Sequence, residues 1–310
     1  FQRLAAAVGI DYQPPAWSIV LPVGISFYTF QTLSYTIDVY RGRLAPWGSF
    51  LDFALFVSFF PQLVAGPIVR AADFLPQCLR PRRITADQLG WGTALLTVGL
   101  FEKGVLGDTC RAPVADRVYG LAEHAGFADA WIGTLAFSGQ IFFDFAGYST
   151  CAIGVATMLG FVIPRNFRCP YAAIGFSDFW RRWHVSLSSW LRDYLYIPLG
   201  GNRKGGRRTL INLMLTMLLG GLWHGAAWRF VAWGGLHGLY LAAERGIRRA
   251  AGARRGETPL DERPYRRVVL ALATYALVCV TWVFFRATDF GSALHLSGAM
   301  LGGGLLSADP

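Results

Sequence analysis

TLINLMLTMLLGGLWHGAAW (209–228) is twenty residues long, contains no Asp, Glu, Lys or Arg, and carries His224 near its end. A helical run of that length and polarity can cross the hydrocarbon core of a bilayer. An ionisable side chain inside such a run is costly, so it marks a functional position unless it only hydrogen-bonds a neighbouring helix. From this stretch alone both readings of His224 stand. The next uncharged run, FVAWGGLHGLYLAA (230–243), follows almost at once. The two runs are flanked by basic clusters: Arg203, Lys204, Arg207 and Arg208 before them, and a 245–267 loop with eight Arg after them. Basic loops stay on the cytoplasmic side, so 209–243 enters and returns as a helical hairpin. His224 lies sixteen residues past Arg208, roughly 24 Å of helix in a core roughly 30 Å thick, which puts it deep and near the turn.

The rest of the chain agrees with that reading. Its 310 residues are 54% hydrophobic and 15% charged, with mean hydropathy +0.37, against a soluble norm of roughly a quarter charged. This composition belongs to an all-α polytopic membrane protein, read as a single membrane-embedded domain over 1–310. Further uncharged runs cover 17–37, 53–69, 88–101, 130–143, 145–164, 268–285 and 290–306. Several are too short for a perpendicular span and are broken by Gly or Pro, which points to helices that enter without crossing or that line a cavity. The run 53–69, with Pro61 and Pro67, is the strongest such case. Basic residues at 70–83 place that loop in the cytoplasm too, and the nearly charge-balanced loop 102–129 fits the opposite face. The chain opens on Phe1, with no signal-peptide pattern, and is expected to lack helices of a longer protein.

The net charge of +10 does not indicate nucleic acid, because the basic residues gather in short clusters between apolar runs, as membrane topology requires. Five scattered cysteines without a CxxC pair indicate neither a disulfide framework nor a zinc site.

The segment DFWRRWHVSLSSWLRDYLYIPLGGNRKG (178–205) differs in kind. Phe179, Trp180, Trp183, Leu187, Trp190, Leu191, Tyr194 and Leu195 recur at three- and four-residue steps, with Arg181, Arg182, His184, Ser188, Ser189, Arg192 and Asp193 on the other side. The pattern predicts an amphipathic helix over 178–197 lying in the membrane interface, capped by Ser177 and stopped by Pro198, Gly200 and Gly201. On this pattern His184 is a surface residue of the polar side.

Histidine is the side chain suited to general base chemistry near neutral pH. Gly220, Gly221 and Gly225 leave room for a substrate to approach His224, and Trp223 and Trp228 can wall the site. No GxSxG elbow, phosphate loop, HExxH motif or acidic metal cluster competes. His237, thirteen residues after His224 on the returning arm, keeps a two-histidine redox site open as an alternative.

LPVGISFYTFQTLSYTIDVYRG (21–42), FFPQLVAGPIVR (59–70), the 178–205 segment and GGLWHGAAWRFVAWGGLHG (220–238) together resemble the membrane-bound O-acyltransferases, most closely their bacterial alginate-type branch. The D-alanyl-lipoteichoic-acid acyltransferases share the RWH and WHG elements. The resemblance covers about 17–290. It implies a ring of tilted, broken helices around a central tunnel, with a cytoplasmic opening for an acyl thioester such as acetyl-coenzyme A and an outer opening for the acceptor. It implies that His224 is the active-site histidine, that His184 lies in the tunnel as the second functional position, and that no cofactor or metal is bound. Candidate substrate-binding residues are Trp223, Ser188, Arg181 and Arg182, the two arginines meeting coenzyme A phosphates or lipid headgroups. The expected protein is an inner-membrane, multi-pass acetyltransferase serving a polysaccharide or a periplasmic acetyltransferase partner. A donor or lipid transporter without chemistry is the alternative.

Overall fold

The computed structural model describes residues 24–250 and 264–303, with Gly9 and Gly252 besides. The start of the first motif, most of the basic 245–267 loop beyond Ala250 and the end of the last apolar run lie outside the described residues. All regular structure among the described residues is helical. In chain order α1 is Ile25–Tyr40, α2 Phe50–Ser58, α3 Ala71–Cys78, α4 Ala86–Phe101, α5 Ala112–Gly120, α6 Phe127–Met158, α7 Phe176–Arg182, α8 Val185–Leu191, α9 Gly205–His224, α10 Trp228–Ala250, α11 Pro264–Arg286 and α12 Phe290–Met300.

Two of these, α6 and α11, are long and apolar enough to cross a membrane by length and composition, with mean hydropathies of 1.3 and 2.3. Helix α9 falls short because Arg207 and Arg208 sit in its first turn and it ends at His224. The hairpin itself is present as α9 and α10.

Glycines set the closest helix contacts. A Cβ at Gly99 would lie 2.5 Å from the Gly147 carbonyl oxygen, and one at Gly92 would lie 2.7 Å from that of Gly154, so α4 and α6 touch along their backbones. The loop expected over 102–129 is shorter than its charges suggest, because α4 continues as a π-helix over Glu102–Thr109. Two of its charges reach α6: Lys103 pairs with Asp144 at 3.1 Å, and Glu102 accepts from the Thr150 hydroxyl. The broken element predicted from Pro61 and Pro67 does form. Helix α2 stops at Ser58, a 3-10 turn covers Phe60–Gln62, and Gln62 donates back to the Phe56 carbonyl.

The single amphipathic helix expected over 178–197 is instead three pieces: α7, α8 and a π-turn at Arg192–Tyr196. The break falls at His184, whose φ is +42°, and the first piece begins after Gly175, with Ser177 already inside it. The apolar periodicity survives because both pieces press the same aromatic residues into the core. Phe179 and Trp183 join Trp233 and Trp282 in one cluster, and Leu187, Trp190, Leu191 and Tyr194 join Phe30 and Ile68 in another.

Candidate active site

Helix α9 ends on His224, and an aromatic box holds the imidazole. Trp223, Trp233 and Phe285 have ring centroids 4.7, 5.1 and 5.1 Å away, and Phe230 lies at 6.3 Å. Arg229 of α10 ties the box to α11: it donates to the Phe285 and Ala287 carbonyls and lies 4.5 Å over the Phe230 ring. No described residue hydrogen-bonds either nitrogen of His224, and the side chain is half-buried. The glycines around it are packing devices: a Cβ at Gly221 would collide with the Phe230 carbonyl, and one at Gly225 would lie 2.5 Å from the Phe230 ring. The space expected there for a substrate is therefore already filled by the returning arm. Trp223 leans against Phe30 of α1, 5.1 Å away, and Trp190 Nε1 donates to the Phe30 carbonyl, so three elements meet beside His224.

His184 is fully inside, 3% exposed, which reverses its placement on a solvated polar face. A left-handed backbone costs a non-glycine residue roughly 1–2 kcal/mol. The contacts that hold it come from the extended segment after Pro164. Val185 N donates to the Asn166 carbonyl at 2.9 Å and Arg168 N to the Arg182 carbonyl at 3.0 Å, clamping both sides of the turn. The His184 ring stands edge-on to Phe145 at 4.6 Å, and its Nδ1 lies 3.1 Å from Asn166 Oδ1. Asn166, 1% exposed, also accepts from the Ser186 hydroxyl at 2.9 Å, and that hydroxyl accepts from Ile68 N at 2.9 Å. The two imidazoles, forty residues apart in sequence, lie close enough to interact electrostatically.

On the side of the basic 70–83 loop, a polar basin of about 380 Å³ opens beside Ser186. Arg70, Arg165, Arg192, Asp38 and Ser189 are among its lining residues. Asp193 pairs with Arg70 at 2.6 Å and with Arg192 at 2.7 Å. Partial burial pushes its carboxyl up, and these two guanidinium groups more than reverse that, holding it below the ordinary carboxylate range. Arg165 has no ion pair with any described residue.

Arg181 and Arg182 lie outside this basin. Arg181 is exposed and donates to the Ser177 carbonyl, and Arg182 pairs with Asp178 at 2.9 Å. Ser188 spends its hydroxyl on the Trp183 carbonyl. His237 does not pair with His224 across a common ligand space, because the Trp233 indole packs against both, at 4.9 and 5.1 Å. Among the described residues no three His, Cys, Asp or Glu side chains gather as a metal site. Asn166, Ser186, Arg70 and Arg165 were not legible as site residues, since their partners are up to 123 residues away, and Arg192 was marked only as part of the polar side of the 178–197 pattern.

Residues 47–255 match the MBOAT, or membrane-bound O-acyltransferase, family. A probable alginate O-acetylase of Pseudomonas putida is 46% identical over 91% of this chain and 56% of its own length. A peptidoglycan O-acetyltransferase of Helicobacter pylori is 38% identical over 92% of this chain and 57% of its own length. A teichoic acid D-alanyltransferase of Streptococcus thermophilus is 30% identical over 85% of this chain and 68% of its own length. The chain thus spans little more than half the length of the O-acetylating relatives, and residues 47–255 include both histidines and the arginines of the basin. It belongs to the membrane-bound O-acyltransferase family.

Proposed function

We propose that this chain is the catalytic portion of a multi-pass inner-membrane O-acyltransferase that carries an acyl group, acetyl in the first instance, from a cytoplasmic coenzyme A-type thioester toward an extracytoplasmic acceptor. That acceptor is an exopolysaccharide such as alginate or a periplasmic acetyltransferase partner that modifies one. The observation that carries the reading is two imidazoles from separate elements near enough to interact electrostatically, with an arginine-lined basin beside the 70–83 segment, which the proposal places on the cytoplasmic side. The tilted and broken helices then form the ring, and the space between basin and turn forms the tunnel.

The chemistry follows from what each group has free. His224, with both nitrogens unengaged by described residues, takes the proton from the acceptor hydroxyl as its oxygen attacks the thioester carbonyl. The C–S bond breaks, and the departing sulfur receives a proton as the free thiol. The aromatic box keeps water from competing for the acyl group. Arg70, Arg165 and Arg192 meet the donor's phosphates, a task for which guanidinium groups suit phosphate oxygens. In this arrangement the basin takes over the role assigned by pattern to Arg181 and Arg182. Trp223 shapes the acceptor side through its contact with Phe30.

The test is release of free coenzyme A from radiolabelled acetyl-coenzyme A by the full-length protein in lipid vesicles, following the label. Cleavage that depends on His224, with label moving to glycan or partner, supports the proposal. Intact donor crossing the membrane without cleavage overturns it and makes the same path a transporter.

A further inference from the structure

We infer that Asn166 is a positioning residue that locks His184 in one tautomer, with the proton on Nδ1 and a bare, hydrogen-bond-accepting Nε2 turned to the site. The function of that lock rests on the acyl-transfer reading; the lock itself does not.

One donor at the Asn166 side chain has a fixed direction. The backbone N–H of Ser186 can only donate, and it points at the side-chain oxygen of Asn166, 3.3 Å away. That contact sets which end of the amide faces the turn. The Ser186 hydroxyl agrees: it accepts from Ile68 N, so its own proton is available for the same Asn166 oxygen, at 2.9 Å. The amide nitrogen is left on the far side, donating to the Ser149 hydroxyl at 3.3 Å. With the oxygen fixed toward the turn, the 3.1 Å contact to His184 Nδ1 is favourable only if Nδ1 carries the proton and donates. A bare Nδ1 would set two lone pairs against each other inside a site where Asn166 is 1% and His184 3% exposed.

The neutral ring then has no proton on Nε2, and no described residue hydrogen-bonds that atom. His184 therefore accepts a hydrogen bond from an O–H or N–H of the bound reactants. In its neutral form it has none to give to a carbonyl oxygen as that oxygen gains charge. This selects between two roles otherwise open to the residue, orienting a reactant and stabilising the transition-state oxyanion, in favour of the first. Asn166 also bonds through its backbone to the left-handed turn, so one residue sets both the position of the ring and its proton.

The experiment is nitrogen NMR of the full-length protein in lipid, with histidine labelled at both ring nitrogens and His184 assigned by comparison with His184→Gln. The expected signature is a protonated, pyrrole-type Nδ1 and a bare, pyridine-type Nε2. A His184 resonance pair of the opposite kind overturns the inference, whatever the activity of the protein. Two variants connect the tautomer to the reaction. Asn166→Asp keeps an acceptor at the same place and is expected to keep the NMR signature and to stay within about tenfold of the wild-type kcat. Asn166→Leu removes the acceptor and is expected to give a mixed tautomer and a kcat lower by about 10–100-fold, with the donor KM little changed. Should the leucine variant fail to fold, the wild-type spectrum and the aspartate variant still decide. A wild-type protein with the expected spectrum but no acyl transfer would sink the enzymatic proposal and leave the lock standing.

Discussion

His184 and His224, the two histidines of the proposed site, are held in opposite ways. His184 is pinned: its backbone is left-handed, its Nδ1 faces Asn166, and its neighbours on both sides are clamped to the 166–168 strand-like segment. His224 ends its helix inside a box of rings, and no described residue hydrogen-bonds its nitrogens. A side chain whose proton is fixed by a buried acceptor orients what it touches. A side chain held only by packing keeps both nitrogens available for proton exchange. Under the proposed reaction this difference in support becomes a difference in role, and it can be broken by experiment.

The largest effect belongs to His224. His224→Ala in the full-length protein is expected to lower coenzyme A release by about 10²–10⁴-fold while the protein stays folded in the membrane, as loss of a general base does. Retained transfer would remove His224 from the base role. A sharper form uses glutamine at both positions, since its amide accepts a hydrogen bond near the place of Nε2 but cannot take up a proton. His184→Gln should remain within about tenfold of wild type, whereas His224→Gln should be as inactive as His224→Ala. Equal losses at the two sites would erase the distinction between them.

The sequence made one of these two sites far more legible than the other. His224 sits in an uncharged run bounded by basic clusters, and both signals are local, so the two arms of the hairpin followed from counting residues. His184 sits in a segment whose apolar spacing runs on across the break, so periodicity predicted one continuous helix and a surface histidine. The left-handed turn that buries it is held by Asn166, eighteen residues earlier in an extended segment and separated by the Pro170 turn from any helical register. A hydrogen bond of that kind leaves no periodic trace. The same holds for the basin, where Arg70 and Asp193 meet across 123 residues, and for the π-helix over 102–109, whose charges look like a loop until Asp144 is seen to pair with Lys103. The glycines beside His224 were visible, but whether their space is taken by substrate or by Phe230 depends on the packing of the return arm.

A smaller effect is expected at the mouth. Arg165→Ala should raise the KM for acetyl-coenzyme A by roughly threefold to tenfold with kcat unchanged, the scale of one partly exposed charged contact, and the effect should shrink as salt is added. Arg181→Ala should leave both constants alone, because its guanidinium lies outside the basin and bonds its own helix. The reverse pattern would move the donor to the outer surface of α7 and detach the basin from the two histidines.

The smallest effect sharpens the comparison by supplying a third histidine. His237 is completely buried and stacked on Phe179 with rings 7° apart, yet its bonding is of neither kind described above. Thr281 donates its single hydroxyl proton to the Val278 carbonyl at 2.7 Å, so it accepts from His237 Nε2 at 3.0 Å, the tautomer opposite to that of His184. Nδ1 is left buried without a partner, at the expense of stability and with no route to a reactant past Trp233. His237→Leu removes that orphan, keeps most of the volume and leaves the Thr281 hydroxyl bonded to Val278. The gain from the orphan and the loss of one hydrogen bond are each about 1 kcal/mol and opposite in sign. Thermal stability in lipid should therefore change by only a few degrees, and coenzyme A release should match the wild type. A folded His237→Leu protein without activity would place a third imidazole in the reaction and end the division of labour between a pinned histidine and a free one.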